Sequence, residues 1–71
     1  MNPLRIARGK AGLTIEELSK KSGVAPNTIS TLERGIANAI PRTINKLAAA
    51  LGVPFEDLAI LAEQVPNEKA A

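Results

Sequence analysis

One short segment gathers several polar side chains on one side of a predicted helix. Ile29 and Leu32 form the apolar stripe of this helix, which is predicted over residues 25–34. At 100° per residue, the side chains that project away from the stripe are those of Asn27, Thr31 and Arg34, with Ser30 at the edge. An Asn amide can pair with adenine through two hydrogen bonds, and a Thr methyl can contact the methyl group of thymine. The pattern is also typical of a helix side that only contacts solvent. A side that reads DNA bases and an ordinary solvent-exposed side therefore both remain open as interpretations.

Catalytic and metal-binding chemistry lacks its usual residues. The chain contains no histidine and no cysteine, which removes the common nucleophile, the common general base near neutral pH and the common transition-metal ligands. Four carboxylates fall in the first turns of predicted helices, namely Glu16, Glu17, Glu56 and Asp57. Negative charge there stabilises helix ends, so a hydrolase is disfavoured. The sequence predicts a protein that is not an enzyme and needs no metal or cofactor.

The charges are distributed unevenly along the chain. Its 71 residues carry a net charge of +2. Eight basic residues accompany three acidic ones before position 51, and one basic residue accompanies four acidic ones after it. A basic body with an acidic end favours a polyanionic partner for the body. Scattered solvated charges explain the composition equally well.

Length and hydropathy limit the architecture. A chain of this size has room for one domain, which we place at residues 1–66, with a flexible tail at 67–71. Without cysteine no disulfide supplements the core, so helix packing must supply the stability. The longest uncharged apolar stretch, residues 47–55, is too short to cross a membrane, and no signal peptide opens the sequence. We therefore expect a cytoplasmic protein with no membrane partner.

Start and stop signals predict five helices, which makes the fold class all-α. Asn2 and Pro3 open the first helix, and Thr14 with Glu17 forms a capping box at the start of the second. Glycine or proline marks the other boundaries, at Gly12, Gly23, Pro26, Gly35, Pro41, Gly52, Pro54 and Pro66. The fifth helix is accordingly predicted over residues 54–65.

Six residues in and between the second and third predicted helices have the types that a steep helix crossing needs. They are Leu18, Ser19, Gly23, Val24, Ile29 and Leu32. A small residue stands at the crossing, a glycine reverses the chain, and aliphatic side chains hold the second helix of the pair against the first.

With this block the chain resembles the lambda-repressor-like helix-turn-helix family, which includes phage repressors, Cro proteins and Xre-type regulators. The resemblance covers about residues 4–63. Further matching positions are Arg8, Gly12-Leu13-Thr14, Glu17-Leu18, Leu32-Glu33-Arg34-Gly35, Leu47-Ala48 and Leu51-Gly52-Val53.

The resemblance implies a compact five-helix DNA-binding domain that regulates transcription, as a repressor. In this family the second helix of the motif enters the major groove while the first crosses the DNA backbone. The candidate base contacts are Pro26, Asn27, Ser30, Thr31 and Arg34. The candidate backbone contacts are Thr14, Thr28, Arg42 and Lys46. The expected partners are a palindromic double-stranded operator and, at least on DNA, a second copy of the chain.

Two other pairs of residues have predicted roles. Arg8 and Glu33 match positions that pair across helices in the family, so we expect a structural ion pair between them. Ile60 lies off the apolar stripe of the fifth predicted helix, beside an exposed edge of Leu61. These two are candidate dimer contacts, although a lone exposed apolar residue is common.

Two departures from the family pattern and one alternative function bear on the DNA hypothesis. Ile15 and Pro26 stand where many relatives carry polar residues that contact DNA, so fewer hydrogen bonds to DNA are expected. The resemblance also admits a protein-interaction module, as in antitoxins or coactivators of this family. Acidic or bulky apolar residues at the outward positions of helix 3 would favour that module. Asn27, Thr31 and Arg34 occupy those positions and favour DNA.

Overall fold

The computed structural model describes residues 2–63, which fold into five α-helices and a closing 3₁₀ turn. They are α1 (Pro3–Ala11), α2 (Ile15–Ser22), α3 (Pro26–Glu33), α4 (Pro41–Leu51), α5 (Phe55–Leu58) and the turn Ala59–Leu61. The described residues include no strand, and the all-α prediction is confirmed. None of the described helices is long and apolar enough to cross a membrane.

Side-chain hydrogen bonds start the first two helices at the predicted positions. The Asn2 Oδ1 atom accepts hydrogen bonds from the backbone N–H groups of Leu4 (2.8 Å) and Arg5 (3.2 Å). At the start of α2, Thr14 Oγ1 accepts from the Glu17 N–H (3.0 Å), and Glu17 Oε1 accepts from the Thr14 N–H (2.8 Å). The capping box is therefore formed, and it satisfies two backbone donors that the helix itself leaves open.

The core is built from at least one side chain of every helix. Its largest fully buried members are Leu4, Leu18, Ile29, Leu32, Ile44, Leu47 and Leu58. Helices this short are marginal in isolation, so packing holds them in place: α4 contacts α1, α2 and α5, and α3 contacts α1 and α2. Gly23, at φ +78°, adopts the left-handed conformation and lets the chain reverse between α2 and α3.

The Arg8 guanidinium joins three segments of the chain. Its Nε atom donates to Glu33 Oε2 (2.6 Å) and its Nη2 atom donates to Glu33 Oε1 (2.9 Å). The remaining Nη1 atom donates to the Leu13 carbonyl oxygen (2.9 Å) in the α1–α2 loop. The Arg8 and Glu33 side chains are 18% and 7% exposed. The hydrogen bond to Glu33 raises the pKa of Arg8, against the opposing effect of burial. Arg8 and Glu33 thus form an ion pair that connects α1 to α3.

The end of the fold differs from the prediction of one helix over residues 54–65. α5 ends at Leu58, a 3₁₀ turn follows, and Ala62 is extended, with φ −75° and ψ 140°. Ala62 pairs instead with Ala39 of the α3–α4 loop: the Ala39 N–H donates to the Leu61 carbonyl (3.1 Å), and the Glu63 N–H donates to the Ala39 carbonyl (2.6 Å). These bonds to a distant segment replace the bonds that would continue the helix. The predicted stop at Pro66 and the tail at 67–71 lie outside the described residues.

The prediction that Leu61 has an exposed edge is wrong. Leu61 is 6% exposed and belongs to the core, whereas its neighbour Ile60 is 77% exposed. The α3–α4 loop contacts the closing turn, since Asn38 Nδ2 donates to the Leu61 carbonyl (3.0 Å). Leu61 therefore packs inward and leaves Ile60 as the exposed residue of the predicted pair.

Replacing Glu33 by Ala should lower the free energy of unfolding by about 3 kcal/mol, because it leaves the Arg8 charge partly buried without its partner. This value is at the lower end of the usual range for such losses, since Arg8 keeps some contact with solvent. Urea unfolding of the Glu33→Ala, Arg8→Ala and double variants forms a double-mutant cycle. The double variant should lose clearly less than the sum of the single losses. Additive losses would show that the pair contributes no coupling.

Candidate nucleic-acid interface

α3 presents an exposed polar side above a fully buried apolar one. Ile29 and Leu32 are 0% and 1% exposed. Among the candidate base contacts, Pro26, Asn27 and Arg34 are exposed, and Ser30 and Thr31 are half-buried. Arg34 follows the last residue of α3 and forms its C-cap. The core thus fixes which side of α3 faces outward.

Thr31 uses its hydroxyl proton within α3. Its Oγ1 atom donates to the Thr28 carbonyl oxygen (3.0 Å), one turn earlier in the helix. The methyl group and the lone pairs of the hydroxyl oxygen remain for an external partner. The Thr31 side chain is therefore suited to an apolar contact, such as one with a thymine methyl.

The two ends of α3 differ in how their backbone groups are satisfied. At its start, Pro26 occupies the first turn and no side chain caps the helix. At its end, the N–H groups of Gly35 and Ile36 donate to the carbonyls of Leu32 (3.2 Å) and Thr31 (3.3 Å) in a Schellman arrangement. Free backbone donors and the positive end of the helix dipole therefore lie at the start of α3, where an anion is favoured.

α4 carries the basic candidates for backbone contacts. Arg42 and Lys46 are both exposed and stand four residues apart, which puts them on one side of the helix, away from buried Ile44. Within residues 2–63 neither of them forms an ion pair. Like α3, α4 begins at a proline, Pro41, and has no side-chain cap. The Arg42 N–H is open in its first turn, since the Thr43 N–H donates to the Ile40 carbonyl (2.9 Å), and Lys46 lies one turn further along the same side.

The other candidate backbone contacts are less free than the two basic residues. Thr14 is exposed, but its Oγ1 atom already accepts the bond that caps α2. Its hydroxyl proton remains to be donated. Thr28 is half-buried in the first turn of α3. α2 packs against both α3 and α4, so the three helices that carry the candidate backbone contacts form one packed unit.

Three exposed isoleucines lie on the α3–α4 loop and on the closing turn. Ile36, Ile40 and Ile60 are 65%, 48% and 77% exposed. Asn38 connects the loop to the turn, since its Nδ2 atom donates to the Ile60 carbonyl (3.4 Å). Helical periodicity indicated Ile60 alone, although Ile36 and Ile40 are branched apolar residues in a predicted loop, which is a usable signal of exposure.

A groove of about 370 Å³ lies between α1 and the α4–α5 connection. Ile6, Lys10, Leu51 and Asp57 are among the residues that line it, and none of the candidate DNA contacts does so. The groove is therefore separate from the polar side of α3.

Among the described residues, no cluster of three or more carboxylates is arranged to hold a metal ion.

Asn2 contacts the end of α3, which the sequence pattern did not indicate. Besides capping α1, its Nδ2 atom donates to the Leu32 carbonyl oxygen (2.8 Å), thirty residues along the chain. The sequence signal at Asn2 and Pro3 indicates a helix start. It carries no information on a partner so far away, so only the tertiary structure reveals this bond.

Several known proteins, from bacteria and archaea, are similar to this chain in sequence. The uncharacterized HTH-type transcriptional regulator y4dJ of Sinorhizobium fredii is 40% identical over 65 residues, which cover 92% of this chain and 83% of that protein. An uncharacterized HTH-type transcriptional regulator of Archaeoglobus fulgidus is 41% identical over 61 residues, covering 86% of this chain and 87% of its own length. The HTH-type transcriptional repressor RghR of Bacillus subtilis is 43% identical over 56 residues, covering 78% of this chain and 42% of that protein.

The family comparison agrees with the fold. No solved structure matches the chain. The helix-turn-helix family model matches residues 4–58, which include α2 to α5 completely and α1 except for Pro3. The resemblance to the lambda-repressor-like family is confirmed, and the chain belongs to the helix-turn-helix family.

Proposed function

We propose that the protein is a sequence-specific DNA-binding regulator of transcription, of the repressor type, that places α3 in the major groove of cytoplasmic DNA. The observation that carries this proposal is the outward polar side of α3, held above buried Ile29 and Leu32. The names of the relatives support a role in transcription, and one of them is a repressor. An eight-residue helix with such a side fits the major groove, which admits an α-helix.

Asn27 and Thr31 are the residues that distinguish bases in this proposal. Asn27 lies in the first turn of α3, where an exposed amide can donate to and accept from one adenine. Thr31 stands four residues later and offers its methyl group to a thymine. Three further base contacts flank them, from Pro26, Ser30 and Arg34.

The phosphates are held by the starts of the helices and by basic side chains. The uncapped first turn of α3 offers the N–H groups of Asn27 and Thr28, and that of α4 offers the N–H group of Arg42. Arg42 and Lys46 add charge beside them, with Thr14 and Thr28 as neutral donors. Contacts of this kind fix the register of the protein on the duplex and carry no sequence information themselves.

The protein binds a palindromic operator as a homodimer in this proposal, with Ile60 as a central contact. Exposure of three isoleucines on one loop and the adjoining turn supports an apolar contact there. Two copies related by a two-fold axis would present α3 twice, to half-sites about one helical turn apart. Selection of bound duplexes from a random pool identifies the operator, and an enriched palindrome supports both the function and the symmetry.

Replacing Asn27 or Thr31 by Ala should change sequence preference and leave folding nearly intact. Neither side chain belongs to the core, so the free energy of unfolding should change by no more than about 0.5 kcal/mol. The loss is somewhat larger if the first turn depends on Asn27, or if half-buried Thr31 loses a stabilising bond to the Thr28 carbonyl. Affinity for the selected operator should fall by about 1 to 3 kcal/mol per half-site, at particular base pairs. Binding to random duplexes is the control and should barely change. If both variants keep the parent's site and affinity, the protein-interaction function becomes the better hypothesis.

Binding should weaken steeply with salt, because each phosphate contact releases counterions. A dimer with about six to ten contacts gives a slope of about −5 to −9 for log affinity against log salt. The Arg42→Ala variant should lose about one phosphate contact per subunit, which makes the slope shallower by about 0.9 per subunit for every DNA sequence. Lys10→Ala removes an exposed positive charge from α1 and is the control, with an unchanged slope. An Arg42→Ala slope equal to that of the parent would show that Arg42 is merely solvated.

Replacing Ile60 by Glu should prevent pairing of two copies on DNA without unfolding the protein, since Ile60 is largely exposed. Affinity for the two-half-site operator should fall at least about tenfold, while affinity for a single half-site stays within about twofold. Ile6→Glu places the same charge at an exposed isoleucine of α1 and should leave the dimer intact. Sedimentation of the complexes gives the stoichiometry. A two-to-one complex of unchanged affinity with Ile60→Glu would exclude this dimer contact.

A further inference from the structure

The Asn2 side chain connects the start of α1 to the end of α3. Its Oδ1 atom accepts from the N–H groups of Leu4 (2.8 Å) and Arg5 (3.2 Å), and its Nδ2 atom donates to the Leu32 carbonyl oxygen (2.8 Å). The amide orientation is determined by these partners, since the reverse orientation would set the NH₂ group against two N–H donors. One side chain therefore satisfies two N–H groups at the start of α1 and a carbonyl group at the end of α3.

Capping α1 does not require the second half of this amide. A helix start needs only an acceptor, which Ser, Thr and Asp also supply. An ionised Asp has no proton to donate, and a Ser or Thr hydroxyl would have to cap α1 and reach Leu32 with one and the same oxygen, whereas an amide has separate acceptor and donor atoms. The bond from Asn2 to Leu32 is therefore additional to capping, and a substitution can separate the two.

The bond from Asn2 gives α1 a second point of attachment to α3. The first is the ion pair between Arg8 and Glu33. Asn2 and Arg8 stand six residues apart, or about 9 Å along α1, while their partners Leu32 and Glu33 are neighbours at the end of α3. Two attachments separated along α1 resist a rocking motion of α3 that one attachment permits. Ile29 and Leu32, buried on the inner side, resist its rotation about its own axis.

Loss of the Asn2 bond leaves no buried acceptor without a partner. The Leu32 carbonyl also accepts from the Gly35 N–H (3.2 Å). A carbonyl oxygen has two lone pairs, so one bond still satisfies it. Removing the Asn2 donor should therefore lower the free energy of unfolding only slightly. Its main effect should be that α3 is held less firmly against α1.

We propose that Asn2 is a positioning residue for α3: its Nδ2 atom holds the C-terminal end of this helix against α1 and thereby fixes how the helix meets the bases of DNA. The proposal rests on the proposed function for its effect on DNA, but the attachment itself is a property of the free protein. Asn2 touches α1 and α3 and makes no base contact in this account.

Two variants of the full chain separate capping from attachment. Asn2→Asp keeps an acceptor for the start of α1 and has no proton to donate to Leu32. Asn2→Ser also keeps a cap, adds no charge, and lacks the second polar atom that reaches Leu32 in the parent. In the free protein, amide hydrogen exchange of Arg34 and Gly35 should become about fivefold faster in both, while amides of α4 keep the parent's rates. Asn45→Ser, at an exposed position of α4, is the matched control and should leave the Arg34 and Gly35 rates unchanged. Rates equal to the parent's in Asn2→Asp would overturn the attachment, with or without DNA.

The DNA measurement is the ratio of affinities for the selected operator and for random duplexes, at a temperature where every variant is folded. Both variants should lower this ratio about fivefold or more, while affinity for random duplexes stays within about twofold. Faster exchange with an unchanged ratio would overturn the positioning role. If the parent itself prefers no sequence, the proposed function fails, and the exchange rates alone decide whether Asn2 holds α3.

Discussion

The attachment of α3 to α1 is the constraint on which the candidate interface depends. α3 has eight residues, too few for a stable helix in isolation, so its direction must be set from outside. The bidentate bond from Arg8 to Glu33 and the bond from Asn2 to the Leu32 carbonyl do this at its C-terminal end. Arg8 also holds the Leu13 carbonyl, so one guanidinium places the α1–α2 loop and α3 together.

This arrangement divides α3 into a fixed end and an open end. Its last carbonyls are occupied by Asn2 and by the N–H groups of Arg34, Gly35 and Ile36. Its first turn has no side-chain cap and carries exposed Asn27. Because Asn27 carries one of the open N–H groups and is exposed, an external anion can approach the start of α3.

Signals within a few residues predicted much of the fold, and bonds between distant residues account for what was missed. The capping box at Thr14 and the reversal at Gly23 depend on neighbouring residues, and both are formed. The shortening of α5 depends on Ala39, which pairs with Ala62 across more than twenty residues. The periodicity of residues 54–65 contains no trace of that pairing, and the exposure expected for Leu61 failed for the same reason. At the candidate site, periodicity predicted the outward side of α3 but gave no sign that Asn2 contacts its end.

The central claim is that the polar side of α3 and the start of α4 together form the surface that DNA contacts. Amide chemical shifts of the ¹⁵N-labelled full chain, followed while a duplex is added, test it most directly. The account predicts the largest changes at Asn27, Thr28 and Arg42, with small changes at Ile6 and Lys10, which line the groove beside α1. Changes concentrated at that groove, with the amides of α3 unmoved, would contradict it.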